Sequence, residues 1–433
     1  MKIAYDASIL GAGYLNPKAR TGIFRMVEAL LQELLALPDI SLKAISLDQE
    51  TTIWEEMGTA FYFQDICPEL AHGFCPVHHS RLHLRGVYGQ LARWQKQLIK
   101  ASTHQPGLYR VGRLLQILSN KFSRLEVSTR FDSASFDVYH SLYFPLPSRD
   151  LLGDTARVLT VHDLIPILLP QFVIPVVHRR CQAILESIDL DRDWIVCNSQ
   201  HTKQDFCNYT KMNPDRVFVT PLAVANFLHP VANTAVIAST LQQHGIPNAP
   251  YLLSLATLEP RKNLNFLIRC FAQLVGENPS LELNLVLAGV SGWKNAEVFQ
   301  AVNQNPQVRS RIFFTGYLPD QDLSAIYSGA IAFVYPSLYE GFGLPPLEAM
   351  HCGTPVVTSN TSSLPEVVGD GGILVDPTQE DELCQALWQI TTDTQLRETL
   401  AARARQRASQ FNWATCAKQT ADVYRIAAAN RSL

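Results

Sequence analysis

Hydrophobic positions in this chain follow two rhythms that alternate along it. Short unbroken apolar runs are followed by stretches in which apolar residues recur every third or fourth position. The runs at 2–9, 138–141, 157–161 and 194–198, and later at 251–258, 283–289, 312–316 and 332–335, read as strands buried on both faces. Segment 25–37 carries the helical period. So does the stretch after Asn263, where Leu264, Leu267, Ile268, Phe271 and Leu274 share one face and Asn263 is placed to cap the helix. Alternating strands and helices imply an α/β fold with parallel sheets, helices on both faces, and ligands at the carboxyl ends of the strands. The second half keeps this pattern more regularly than the first.

At 433 residues the chain is long enough for two doubly wound domains. The weakly patterned stretch 225–250 is the expected boundary. A content of 47% hydrophobic and 17% charged residues describes a globular protein, and a net charge of −3 argues against a nucleic-acid binder. Nine cysteines occur without C-x-x-C pairs or metal-ligand spacing, as expected of reduced thiols in a cytoplasmic protein. The chain enters its first strand with no basic-then-apolar leader, and no apolar run reaches the length of a membrane span.

One region departs from the general balance. Between 81 and 130 there are ten Lys or Arg residues and one acidic residue, Glu126. Leu91, Trp94 and Leu98, then Val111, Leu114, Leu115 and Leu118, are interleaved at helical intervals. Two readings stand: helices packed on the first domain with a solvated basic face, or a surface for an anionic membrane or acceptor.

The chemistry concentrates in 339–370, YEGFGLPPLEAMHCGTPVVTSNTSSLPEVVGD. A carboxylate (Glu340), a glycine turn (Gly341, Gly343), a helix opened by Pro345 and Pro346, and a second carboxylate (Glu348) follow one strand. Glycines let backbone N–H groups approach a ligand, a helix N-terminus favours an anion, and carboxylates accept hydrogen bonds from sugar hydroxyls. Ser363-Leu-Pro-Glu366 reads as a capping box and Gly369 as its helix's stop.

This run resembles the nucleotide-sugar signature of the retaining family-4 glycosyltransferases (glycosyl transferases group 1), enzymes of GT-B architecture with two Rossmann-like domains facing a cleft. The resemblance implies an acceptor domain at 1–225, a donor domain at 226–412 and a C-terminal helix at 413–433 packing back toward the first. It implies that Glu348 binds ribose hydroxyls and that Glu340 binds hydroxyls of the transferred sugar, assisted by the backbone of Gly341, Phe342, Gly343 and Leu344. In Glu259-Pro-Arg-Lys-Asn263, Arg261 and Lys262 would stabilise the charge that grows on a departing diphosphate. Thr160-Val-His-Asp-Leu-Ile-Pro166 resembles the family's V-H-D motif, whose histidine, here His162, faces the transferred sugar. Thr21-Gly22-Ile23-Phe24-Arg25 resembles its glycine-rich loop. Asn198, Ser199 and Thr202 stand either beside the cleft or as a helix N-cap, and Tyr317 with Leu318 either beside the base or in the core. Two positions depart from the family pattern: Ala256 where an Arg is usual, and Phe24 where the loop has its second glycine.

The expected activity is transfer of a sugar from a nucleoside-diphosphate sugar, with GDP-mannose as the mild preference, to a glycan, lipid-linked or protein acceptor. No metal is expected, since D-x-D is absent from the motif region, and no cofactor is expected, since Gly11-Ala-Gly13 lacks a third glycine. The rival readings are a non-catalytic sugar-nucleotide sensor, and an epimerase or phosphorylase on the same architecture.

Overall fold

The structure is a computed structural model describing residues 1–16, 22–47, 53–101 and 106–431. Its two main sheets are six-stranded and parallel, one in each half, and His78–Ser80 and Val127–Thr129 form a small antiparallel pair. In the C-terminal half the order is Ile312–Gly316, Asn284–Ala288, Tyr251–Leu255, Ala332–Tyr335, Val356–Ser359, Gly372–Val375. The chain steps outward twice and then crosses back, so the switch point lies between Tyr251–Leu255 and Ala332–Tyr335. Two loops that are distant in sequence leave the sheet there side by side. The N-terminal sheet runs Ser41–Ile45, Lys2–Asp6, Val138–Ser141, Ala156–Val161, Trp194–Cys197, Val217–Val219. Its central strands are fully buried, as continuous apolar runs require.

The structure corrects several expectations, mostly through hydrogen bonds. The first strand ends at Asp6, because the Asp6 carboxylate accepts from the Ser8 amide at 2.9 Å and turns the chain into helix Ser8–Leu15, which takes Ile9. The strand read at 251–258 stops at Leu255. The stretch 225–250 contains a helix, Thr234–Gln243, capped by the Asn233 side chain. Asn263 does not cap its helix: it adopts a left-handed conformation and donates from Nδ2 to the Pro377 carbonyl at 2.9 Å. The capping box at Ser363 is absent too. Its hydroxyl instead donates to the Glu340 and Phe342 carbonyls at 2.9 and 2.7 Å, holding the motif loop in shape.

The last helix, Trp413–Ala429, lies against the N-terminal sheet. The Trp413 indole donates to the Val224 carbonyl at 2.8 Å, and Tyr424 meets His140 Nδ1 at 2.6 Å inside the core. His140 Nε2 pairs with the Thr160 hydroxyl at 2.8 Å. Burial, with the nearby His162, lowers the His140 pKa from 6.5 to about 3. An imidazole whose folded pKa is depressed is protonated first in the unfolded chain. Its contribution is therefore present above pH 6.5 and lost as pH falls toward the folded value. We expect the urea midpoint, measured as a function of pH, to begin falling below about pH 6.5, and His140→Asn to flatten that first step.

Candidate active site

A cleft of about 680 Å³ separates the two halves. From the C-terminal half, the loops after Tyr251–Leu255 and Ala332–Tyr335 bring Arg261 and Lys262 onto Glu340 across 78 or more residues of sequence. Lys262 Nζ donates to Glu340 Oε1 at 2.6 Å and to the Tyr335 hydroxyl at 2.7 Å. Arg261 Nη1 lies 2.9 Å from Glu340 Oε1, and Nη2 donates to Glu259 at 2.7 Å. Ser337 adds a 2.6 Å bond to the same oxygen of Glu340.

Burial alone would raise the Glu340 carboxyl; Arg261, Lys262 and Ser337 overcome it and hold the pKa near about 2. Stability from this cluster is present above the ordinary 4.5 and is lost as pH falls toward about 2, which steepens acid unfolding below the histidine step. Burial, followed by the Arg261 charge, lowers the Lys262 pKa against the pull of Glu340. Two bonds use two of the three ammonium donors of Lys262, leaving the third for a ligand oxygen.

Glu348 sits within helix Leu344–His351, where Pro345 and Pro346 occupy the first turn as expected. Its Oε2 accepts from the Tyr327 hydroxyl at 2.8 Å, and burial pushes its carboxyl up despite that bond. Glu340 and Glu348 thus line one cleft in opposite electrostatic settings, one firmly ionised and the other closer to titrating. Gly343, at the head of this helix, has φ of 120°, a conformation that favours glycine.

His162 enters from the N-terminal half, at the end of strand Ala156–Val161. Its Nε2 lies 2.7 Å from the Leu142 carbonyl, which can only accept, so the proton sits on Nε2. Burial lowers its pKa to about 4, so the ring is neutral at physiological pH. Gly22 opens helix Gly22–Leu35 opposite Leu344, with Arg25 one turn on. Arg25 forms an ion pair with Asp320 of the other half. Thr21 lies outside the described residues.

The halves come close together at Gly341. A Cβ there would stand 2.3 Å from the His162 carbonyl oxygen and 2.7 Å from Asp163 Cβ. The Gly341 carbonyl accepts from Ser199 Oγ at 2.7 Å and Thr202 Oγ1 at 3.0 Å. Ser199 also caps helix Gln200–Thr210, accepting from the Thr202 amide. Asn198 lines the cleft. Tyr317 is 66% exposed at the cleft edge, whereas Leu318 is buried and outside the lining.

Sequence reasoning missed Tyr335, Ser337 and Tyr327, which fix the two glutamates, and Tyr339, whose hydroxyl donates to Asp205 of the other half. Tyr335 and Ser337 were findable as polar residues at the end of the strand that feeds Glu340. Tyr327 lies in a different helix and carries no local signal. Among the described residues, no group of three or more His, Cys, Asp or Glu side chains is placed to hold a metal ion.

Two Rossmann-like sheets facing a cleft with these side chains define the GT-B architecture. Solved structures that share it include sucrose-phosphate synthase from Thermosynechococcus elongatus, with TM-score 0.61, 20% identity and 98% of each chain covered. Another is Anabaena Alr3699/HepE in complex with UDP and glucose, at TM-score 0.61, 19% identity and 98% of each chain. Residues 237–407 match the family Glycosyl transferases group 1. The chain is also 36% identical over 290 residues to the O-antigen chain mannosyltransferase B of Escherichia coli, covering 67% of this chain and 74% of that one. It is 33% identical over 258 residues to the serotype-specific mannosyltransferase WbdA of Escherichia coli, covering 59% of this chain but only 32% of that protein. The chain belongs to the group 1 glycosyl transferases and is a glycosyltransferase.

Proposed function

We propose that this protein is a retaining, metal-independent glycosyltransferase of family 4. It moves a hexose from a nucleoside-diphosphate sugar, GDP-mannose in preference, onto an acceptor hydroxyl of a growing glycan or glycoconjugate. Its acceptor domain is 1–225, its donor domain 226–412, with 413–433 completing the first. The observation that carries this reading is the convergence of Lys262 and Arg261 on Glu340 at the switch point of the second sheet. The names of the two mannosyltransferase relatives support the choice of sugar.

The acceptor hydroxyl attacks from the face that the diphosphate leaves, and the departing phosphate oxygen takes its proton. Negative charge grows on that oxygen as the bond breaks. Lys262, with a donor to spare, and Arg261 stabilise it there, as does the N-terminus of helix Leu344–His351. Glu340 holds both cations in place and accepts from sugar hydroxyls. Glu348 accepts from the ribose, with Tyr317 beside the base. Neutral His162 orients the sugar, since a group protonated only below about 4 is not a general acid at neutral pH. Closure of the halves at Gly341 excludes water from the donor.

Thermal stabilisation by GDP, UDP, ADP and their sugar conjugates tests this. A ligand that binds only the folded state at about 100 times its Kd stabilises by about 2.7 kcal/mol. We expect GDP compounds to stabilise most, Glu348→Ala to abolish the shift, and EDTA to leave turnover unchanged. Absence of stabilisation by every nucleotide would overturn the donor reading, and binding without transfer would favour a sensor.

A further inference from the structure

One helix pair in the N-terminal half, Arg85–Ala101 and Pro106–Glu126, turns an apolar face outward. Its inner packing is settled. Tyr88, Ala92, Gln95 and Ile99 of the first helix are buried, and Gly112 of the second lies where a Cβ would touch Ile99 and Leu98 at 3.5 and 3.6 Å. The root is pinned by fully buried Glu56, which accepts from Arg85 Nη1 at 2.7 Å and from the Val77 and His78 amides at 2.7 and 2.8 Å. Arg93 lies over the Phe61 ring at 4.4 Å and Lys96 over Tyr14 at 3.3 Å, so these two cations tie the pair to the domain.

What remains outside is unusual for a water-facing helix. Val111, Leu114, Ile117, Leu118 and Phe122 are each 47 to 57% exposed, and their spacing of three and four residues puts them on one stripe. Trp94 on the first helix is 57% exposed. Arg110 and Lys121 stand exposed at the two ends of the stripe. The surrounding segment 81–130 holds ten basic residues and one acidic residue.

We propose that this helix pair docks onto an anionic lipid surface, with Pro106–Glu126 lying in the plane of the interface. The stripe enters the boundary between headgroups and acyl chains, Trp94 sits at headgroup depth, and Arg110 and Lys121 meet lipid phosphates. Charge decides the occupant. A two-fold pairing with a second copy would bring the same basic face against itself with almost no acidic partner. Among the described residues no helix is long and apolar enough to cross a membrane, so the contact is interfacial. The docking stands on these residues alone. Its consequence, that a lipid-anchored acceptor is presented to the first half, rests on the transferase reading.

Sedimentation of the full chain with vesicles of phosphatidylcholine, alone or mixed with phosphatidylglycerol, tests the inference. The expected result is binding to the anionic vesicles, weakened by salt. It is abolished by the combined Leu114→Ser, Leu118→Ser and Phe122→Ser variant and reduced about fivefold for each of Arg110→Ala and Lys121→Ala. These positions are exposed, so the melting temperature and nucleotide stabilisation stay unchanged, which separates this outcome from failure of the donor reading. No binding to anionic vesicles, equal binding to neutral ones, or binding that survives the triple variant each overturns the proposal. A concentration-dependent dimer lost in the triple variant, without vesicle binding, would assign the face to a second copy instead.

Discussion

Lys262→Ala is expected to lower kcat by about 10²–10³-fold, the cost of removing one preorganised donor from the place where, in the proposed reaction, charge develops. Two features make the loss large. Lys262 is buried beside Arg261 and already desolvated, so its charge acts on a ligand oxygen with little screening by water. It also has no full substitute, because Ala256 stands where the family usually supplies another cation, and Arg261 shares its charge among Glu259, Glu340 and the Tyr339 carbonyl as well as the phosphate. Glu340 keeps Arg261, Ser337 and Tyr335 as partners in the variant, so the fold survives. Lys262→Arg restores charge but not geometry, since a planar fork cannot occupy the position of a point donor between Glu340 and Tyr335. Its kcat stays near that of the alanine variant. Steady-state kinetics with GDP-mannose, alongside melting curves, check both expectations. Full activity in Lys262→Ala would remove this residue from the mechanism.

Gly341→Ala is expected to reduce turnover by about 10²-fold through misplacement of the two halves. The added methyl would lie 2.3 Å from the His162 carbonyl oxygen and 2.7 Å from Asp163 Cβ, neither of which is the loose end of a flexible side chain. Gly341 is not among the residues with positive φ, so alanine introduces no local backbone strain. The penalty falls on the approach of the halves, and the bonds from Ser199 and Thr202 to the Gly341 carbonyl lengthen with it. Nucleotide stabilisation, which depends mainly on the C-terminal half, persists while transfer is lost. Small-angle scattering would show a wider cleft. Unchanged kinetics would mean that the halves do not need this spacing.

The strands were legible because buried parallel strands are written as apolar runs: 138–141 and 332–335 are fully buried and match the observed bounds, whereas 312–316 matches in bounds but is a half-exposed edge strand, not one buried on both faces. Where a side chain could bond its own neighbourhood, pattern misled. Asn263 and Ser363 occupy capping positions in sequence, yet both spend their side chains on more distant backbone that only the fold brings near. Asp6 ended a strand early for the same reason in reverse, by bonding two residues ahead. In the site, Glu340, Lys262 and Arg261 were visible because each sits in a compact motif. That they touch follows from strand order, which no local pattern records. The neutrality of His162 depends on burial, and its tautomer on the Leu142 carbonyl, twenty residues away in sequence.

The position of helix Trp413–Ala429 also constrains how the protein is made. The face of the N-terminal sheet that it covers includes His140, whose partner Tyr424 is translated 284 residues later. Until then the ribosome holds a first half with an open hydrophobic side and an imidazole that lacks its Nδ1 partner, while the second half has time to fold on its own. Synthesis order and folding order therefore cross. The N-terminal half is completed last, and a polypeptide stalled before residue 413 exposes a sticky sheet to which chaperones can bind.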